Sequence, residues 1–429
     1  MLGVLVATVF VSGLETSPPA DRLRAAGVHQ VLAQRDDPPA KADDGQNRGG
    51  LSWAYEKIFR VEVEATFQED FHESYDGADT TAGLTSFELQ RKRIGVQGAL
   101  FQRIAFEVER DVAEQDVEAG KRAKSPWKDV NVNLTYFKNA QLQLGKFKVP
   151  FGLDALTATT HNDYVYRTLG ADYLAPGRDI GAMVHGRFFK RGLSYWAGVF
   201  RHDGDNATSS KVQGGDQMVA ARLTGTPFRR AKLAAFKHVE LGTAFAVSGV
   251  SDEGFLPRGL RGRTVVTADT FFQPVYVRGR RYRWEADADW AVGPASWRAE
   301  YTRVTDQRLG QGYADQDLPD ARYQSAYIGG AYVLRGEKKR KGAVEAVARY
   351  ERVWFDSLGA RDGPLRSPRA ETIFPSGERV LTLGVNWTLN RYIKLQLNVM
   401  REALSDPDSS PAPNGSRFWS RVLRFQFAL

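Results

Sequence analysis

The chain has no cysteine among its 429 residues. That excludes disulfide frameworks and thiolate metal sites, and it suits an envelope protein that avoids the periplasmic oxidant. Long apolar runs are missing too. No stretch reaches the ~18–20 residues of a spanning helix, so this chain crosses a membrane only as a closed barrel. Histidine is scarce, at 6 residues. His72, His161, His185, His202 and His238 are scattered without metal-ligand spacing, and His161 reads as a loop hydrogen-bond partner. Neither His185 nor His202 has a serine and an acid placed to make it a general base, so the chain is not read as an enzyme. No cofactor and no nucleic-acid partner is expected. After Gly50 no Pro/Ser-rich linker divides the chain, which argues for one domain.

What is present is alternation. Phe59, Val61, Val63, Ala65 and Phe67 alternate with Arg60, Glu62, Glu64 and Thr66. Tyr282, Trp284, Ala286, Ala288 and Trp290 alternate with Arg283, Glu285, Asp287 and Asp289. The end of the chain sets Leu423, Phe425, Phe427 and Leu429 opposite Arg424 and Gln426. Each is a strand with one greasy side and one wet side. About sixteen such strands follow one another, near the ~10 residues that a tilted membrane span requires. Short turns (Lys138-Asn139, Gly293-Pro294, Asn390-Arg391) are separated by long ones (Leu153 to Arg178, Gly254 to Gly279, Asp306 to Ala321, Ser357 to Gly377, Ser405 to Ser416). Short periplasmic turns and long outer loops mark an outer-membrane barrel. Trp284, Trp290, Trp297, Trp387 and Trp419 stand near strand ends, where interfacial girdles form. The wet faces carry too many charges for a second sheet to pack on them. The fold class is all-β: a transmembrane antiparallel β-barrel over residues 51–429. Residues 1–20, apolar from Leu2 to Val11, read as a signal peptide, and the polar residues 21–50 as a disordered periplasmic segment. Gly254 to Gly279 is expected to be an extracellular loop with an extra hairpin. The basic turn Lys338 to Lys341 reads as a solvated tip, or as a contact to anionic headgroups or lipopolysaccharide phosphates.

Trp127 to Gly186 organises the chain. Two strands end at Val149-Pro150, because proline cannot donate a ladder hydrogen bond. A stretch without strand alternation follows, and Asp179 starts the next strand. This is the pattern of a loop folded into the barrel. Lys146 and Lys148 stand at its entrance, and Arg167 and Arg178 lie within or after it. The wet faces carry Arg60, Arg91, Arg93, Arg222, Arg283, Arg298, Arg349, Lys394 and Arg424. Guanidinium groups in series can replace part of an anion's hydration shell and pass it along. The same faces carry Glu62, Glu64, Glu107, Glu109, Glu240, Glu285, Asp287, Asp289, Glu300 and Glu345, so cross-strand pairing that merely keeps the lumen wet is the competing reading.

Arg91-Lys92-Arg93-Ile94-Gly95, the run from Lys146 to Asp154, Arg167, Pro176 to Gly181, Tyr282 to Tyr301 and Gly384 to Asn398 resemble the phosphate-selective porin O/P family of bacterial outer membranes. The resemblance implies a sixteen-stranded barrel, a homotrimer, an inward loop, and a column of arginines and lysines that conducts anions, phosphate or polyphosphate among them. Arg91, Arg93, Lys148 and Arg222 take the family's pathway positions on this resemblance. With Lys146 and Arg167 they make the expected anion pathway. The expected partners are the lipid bilayer, lipopolysaccharide and small anionic solutes. A non-selective porin and a structural, envelope-tethering barrel are the alternatives. The family's loop presents a Glu-Arg pair, where this chain has Tyr166 before Arg167.

Overall fold

The computed structural model describes residues 51–429 apart from 56–57, 77–83, 113–125, 190–191, 206–216, 252–257, 313–314, 339, 358–374 and 406–416. The expected signal peptide and N-terminal segment lie outside the described residues. The barrel strands are β1 (Phe59–Asp76), β2 (Leu84–Leu100), β3 (Ile104–Asp111), β4 (Trp127–Phe137), β5 (Ala140–Lys148), β6 (Arg178–Phe188), β7 (Leu193–Phe200) and β8 (Met218–Gly225). They continue as β9 (Glu240–Val250), β10 (Gly279–Val292), β11 (Ala295–Arg308), β12 (Leu318–Arg335), β13 (Ala343–Ser357), β14 (Ser376–Thr388), β15 (Ile393–Leu404) and β16 (Arg417–Ala428). Each pairs antiparallel with the next, and β16 pairs back to β1 from Phe418↔Asp76 to Ala428↔Thr66. That pairing leaves no open seam, which lipid requires. A short strand, Ser52–Tyr55, pairs with the first residues of β1.

The two faces part as the alternation requires. Leu381, Leu383, Val385 and Trp387 on β14 are exposed, while Thr382 and Asn386 between them are buried. Trp284, Trp297 and Trp419 are exposed on the outer face as well. The wall steps down sharply, from the 17 residues of β2 to the 8 of β3.

Two expectations need correction. The connection expected over Asp306 to Ala321 is shorter, because β11 runs to Arg308 and β12 starts at Leu318. Asp306 looked like a loop residue, but it faces inward and accepts from Arg281 Nε at 2.5 Å. The second concerns Gly254 to Gly279. It does hold a hairpin, Gly262–Arg263 against Thr270–Phe272. That hairpin packs inside the barrel mouth, not outside it. Leu260, Phe271, Phe272, Val275 and Val277 are buried with Val165, Leu169 and Leu174 of the first inward loop and with Tyr323, Val353, Phe355, Val380, Met400 and Val422 of the wall. Phe272 stacks on Phe355 at 4.4 Å. Burying each such ring contributes ~1.5–3 kcal/mol. One side of the lumen is therefore an apolar core.

Candidate functional site

The inward loop spans residues 149–177, between β5 and β6. Gly152 takes φ 81, a turn that favours glycine, and opens a single helical turn, α1 (Leu153–Leu156). Such a turn leaves its carbonyls without partners. Lys148 Nζ donates to Ala155 O, Leu156 O and Thr157 O at 2.9, 3.0 and 3.2 Å. Arg167 donates to Asp154 O and, at 2.5 Å, to Thr157 O. Asp154 Oδ2 accepts from Thr168 N at 2.7 Å and closes the loop on itself. Lys148 and Arg167 thus both grip the carbonyl end of α1.

The wall supplies the partners that the rest of the loop backbone needs. Asp154 N donates to Glu300 Oε2 at 3.0 Å, and Leu169 N to Glu351 Oε2 at 2.8 Å. Lys394 Nζ donates to Asn162 O at 2.7 Å, Asn386 Nδ2 to Asp163 O at 2.8 Å and Arg349 Nη1 to Tyr166 O at 3.0 Å. Arg283 Nε reaches Leu174 O at 3.1 Å. Val165 is held twice, its N–H by Asn398 Oδ1 at 2.8 Å and its carbonyl by Arg424 Nη1 at 2.5 Å. Several cations read as pore lining are therefore loop anchors. Tyr166, in the departing position, lies under the Arg424 guanidinium at 5.6 Å.

One group of water-facing charges lies where β2 to β4 and the start of β6 meet the inward loop; Arg298 and Asp289, half-buried and 3.0 Å apart, lie on β11 and β10. In the first group Arg91, Arg93, Lys128, Arg167 and Arg178 are half-buried, and Asp172 opens onto the lumen water with loop and wall crowded around its carboxyl. Arg424, Arg93 and Arg167 are all close enough to repel Arg91, and Asp172 attracts it. Arg91 Nη1 donates to Gln68 Oε1 at 2.6 Å, and among the described residues no carboxylate comes within ion-pair distance of it. Arg93 is matched by Glu109 at 3.3 Å and Asp111 at 3.5 Å. Lys128 lies 3.8 Å from Asp111, and Arg178 lies 2.6 Å from Asp129. Desolvation lowers the Arg167 guanidinium from its ordinary pKa, with Asp154 and Asp172 opposing. It raises the carboxyl of Asp172, which Arg167 opposes.

Not all six expected residues come together. Arg91, Arg93 and Arg167 meet on one wall, and Lys148 supports that wall from behind. Arg222 stands apart: it is buried, and donates to Glu285 Oε2 at 2.8 Å and Asp287 Oδ2 at 2.6 Å. Lys146 is opposite Val130 and Ile180 in register, on the outward parity, but its side chain turns to the rim, where Nζ donates to Trp127 O at 2.9 Å and lies 3.8 Å from Asp205. Strand parity hid Lys128, which stands near the start of its strand on the outward parity, as does Arg178, the residue expected just after the loop. At the rim their long side chains turn over to carboxylates on the inner face. The turn holding Lys338 to Lys341 lies at the short-turn end, away from the long loops, and Lys338 Nζ reaches Ser296 Oγ at 2.5 Å. A lipopolysaccharide contact through this turn does not fit that placement.

A family model for phosphate-selective porin O and P matches residues 61–429. The chain belongs to the phosphate-selective porin O and P family. Porin O of Pseudomonas aeruginosa is 23% identical over 381 residues, covering 82% of this porin and 84% of that relative. Two solved structures share the fold. OmpT of Vibrio cholerae, in its trimer form, matches with a TM-score of 0.54 at 11% identity, over 87% of this chain and 100% of that one. An anion-selective porin from Comamonas acidovorans matches with a TM-score of 0.54 at 13% identity, over 86% and 100%. The porin is a channel of the bacterial outer membrane, not a member of an enzyme family.

Proposed function

We propose that this porin carries small anions, phosphate or polyphosphate among them, along the wall where Arg91, Arg93 and Arg167 face Asp172. One observation carries the reading: Arg91 sits among like charges with no carboxylate at ion-pair distance among the described residues. An arriving anion relieves that repulsion and finds forked donors. Lys148 positions Arg167 through the carbonyl they share, Thr157 O. Arg222, buried on Glu285 and Asp287, takes no part in the pathway, and Lys146 stands at its rim beside Asp205. The ion pairs of Arg93, Lys128 and Arg178 favour a second reading, a weakly selective porin. The assembly is a homotrimer, supported by the trimer form of the Vibrio cholerae neighbour. Among the described residues the low wall at β3 agrees, since 8 residues tilted by ~40° rise only ~20 Å against an apolar band of ~25 Å. Reversal potentials across planar bilayers under a KCl gradient, followed by a phosphate titration, test the proposal. A potential favouring chloride, with block by low phosphate, is expected. A potential that favours neither ion would leave the weakly selective porin.

A further inference from the structure

The connection from β8 to β9, residues 226–239, is the longest at the short-turn end. It reads TPFRRAKLAAFKHV and holds Arg229, Arg230, Lys232 and Lys237 with no acidic residue. The segment turns back onto the outside of the barrel. Phe236 stacks on Trp290, with ring centroids 6.0 Å apart and planes 5° apart. Trp290 Nε1 donates to Ala235 O at 2.7 Å. Trp290 alternates with the inward Asp287 and Asp289, so it stands on the lipid face, beside Trp297 at 5.1 Å. Arg229 Nη1 ties the segment to the neighbouring turn through Phe189 O at 3.0 Å. Phe228, Leu233 and Phe236 are left 47%, 66% and 44% exposed along this rim.

These features fit one occupant. We infer that residues 226–239 bind anionic phospholipid in the leaflet that the short turns reach. The exposed apolar side chains continue the lipid-facing band and enter the acyl boundary. The four cations then stand at the level of the phosphates, and their surplus charge prefers an anionic headgroup to a zwitterionic one. A soluble acidic protein would match the cations but leave Phe228 and Leu233 without apolar cover. The inference rests on the outer-membrane location and is independent of what the lumen conducts.

Full-length protein is folded into vesicles of phosphatidylcholine with phosphatidylglycerol, extracted, and its retained lipids counted by native mass spectrometry. The comparison is with R229Q/R230Q/K232Q/K237Q, or with K232Q/K237Q if the fourfold variant fails to fold on a heat-shift gel. Each cation near an anionic surface is worth about fivefold in binding. The wild type is expected to favour phosphatidylglycerol at least about tenfold, and the variant to lose that preference with its reversal potential unchanged. Equal preference in both proteins, or none in the wild type, would overturn the inference. So would capture of a polyglutamate peptide by the wild type in phosphatidylglycerol vesicles, because lipid-engaged cations are not available to a soluble acid.

Discussion

Arg91 and Arg222 carry the same charge and do opposite work. Arg91 faces like charges beside water, so R91Q should leave folding intact and shift the reversal potential toward zero. An unchanged potential would remove Arg91 from the pathway. Arg222 is buried between Glu285 and Asp287. R222A strands both carboxylates, and losing one partner of a buried pair costs ~3–5 kcal/mol. A lowered urea midpoint on heat-shift gels, with selectivity unchanged in the folded fraction, is the expected result. Asp172 sets a pH dependence. Desolvation raises its carboxyl pKa, so it takes up a proton early as pH falls. The pathway then loses a negative charge, and anion preference should rise toward low pH. D172N should hold the low-pH preference at every pH, and a D172N porin that still responds to pH would place the titration elsewhere.

At the scale of elements, the inward loop depends on its glycine hinge. A Cβ at Gly152 would meet Ala155 Cβ at 3.2 Å and Glu300 Oε1 at 3.3 Å, at φ 81. G152A should cost ~1–3 kcal/mol in backbone strain and show as noisier single-channel currents; steady wild-type currents would mean that the anchors alone hold the loop. The strands were legible because period-2 alternation follows directly from the pleat. The loop was legible in part, since Pro150 ends β5 and no alternation follows. Its anchoring was not. Parity says that Arg283, Arg349 and Arg424 face inward, but not whether water or a loop carbonyl meets them there. The rim residue Lys128 escaped for the opposite reason, since a long side chain at a strand end is not bound by the parity of its Cα; Arg178 was found only through its place beside the loop. The hairpin at 262–272 read as external because its arginines hid the buried Leu260, Phe271 and Phe272.

Across the whole molecule, the lumen is lopsided: an apolar core against β12–β16, a charged and wet passage along β1–β4. Replacing residues 258–277 with a short linker should raise single-channel conductance while the reversal potential stays put, since the charged wall is untouched; unchanged conductance would show that the hairpin does not limit flow. The last ladder carries a different lesson. Arg424 on β16 forks onto Asp70 of β1 at 2.6 and 2.5 Å, and the same guanidinium holds Val165 O of the loop. Gln68 and Gln426, 358 residues apart, bond beside them at 2.7 Å. The strand that completes the cylinder brings the loop's latch with it. Without β16 the barrel can neither join its edges nor fasten its filter, so closing the cylinder and latching the loop are one event, and a sealed but unguarded hole does not arise.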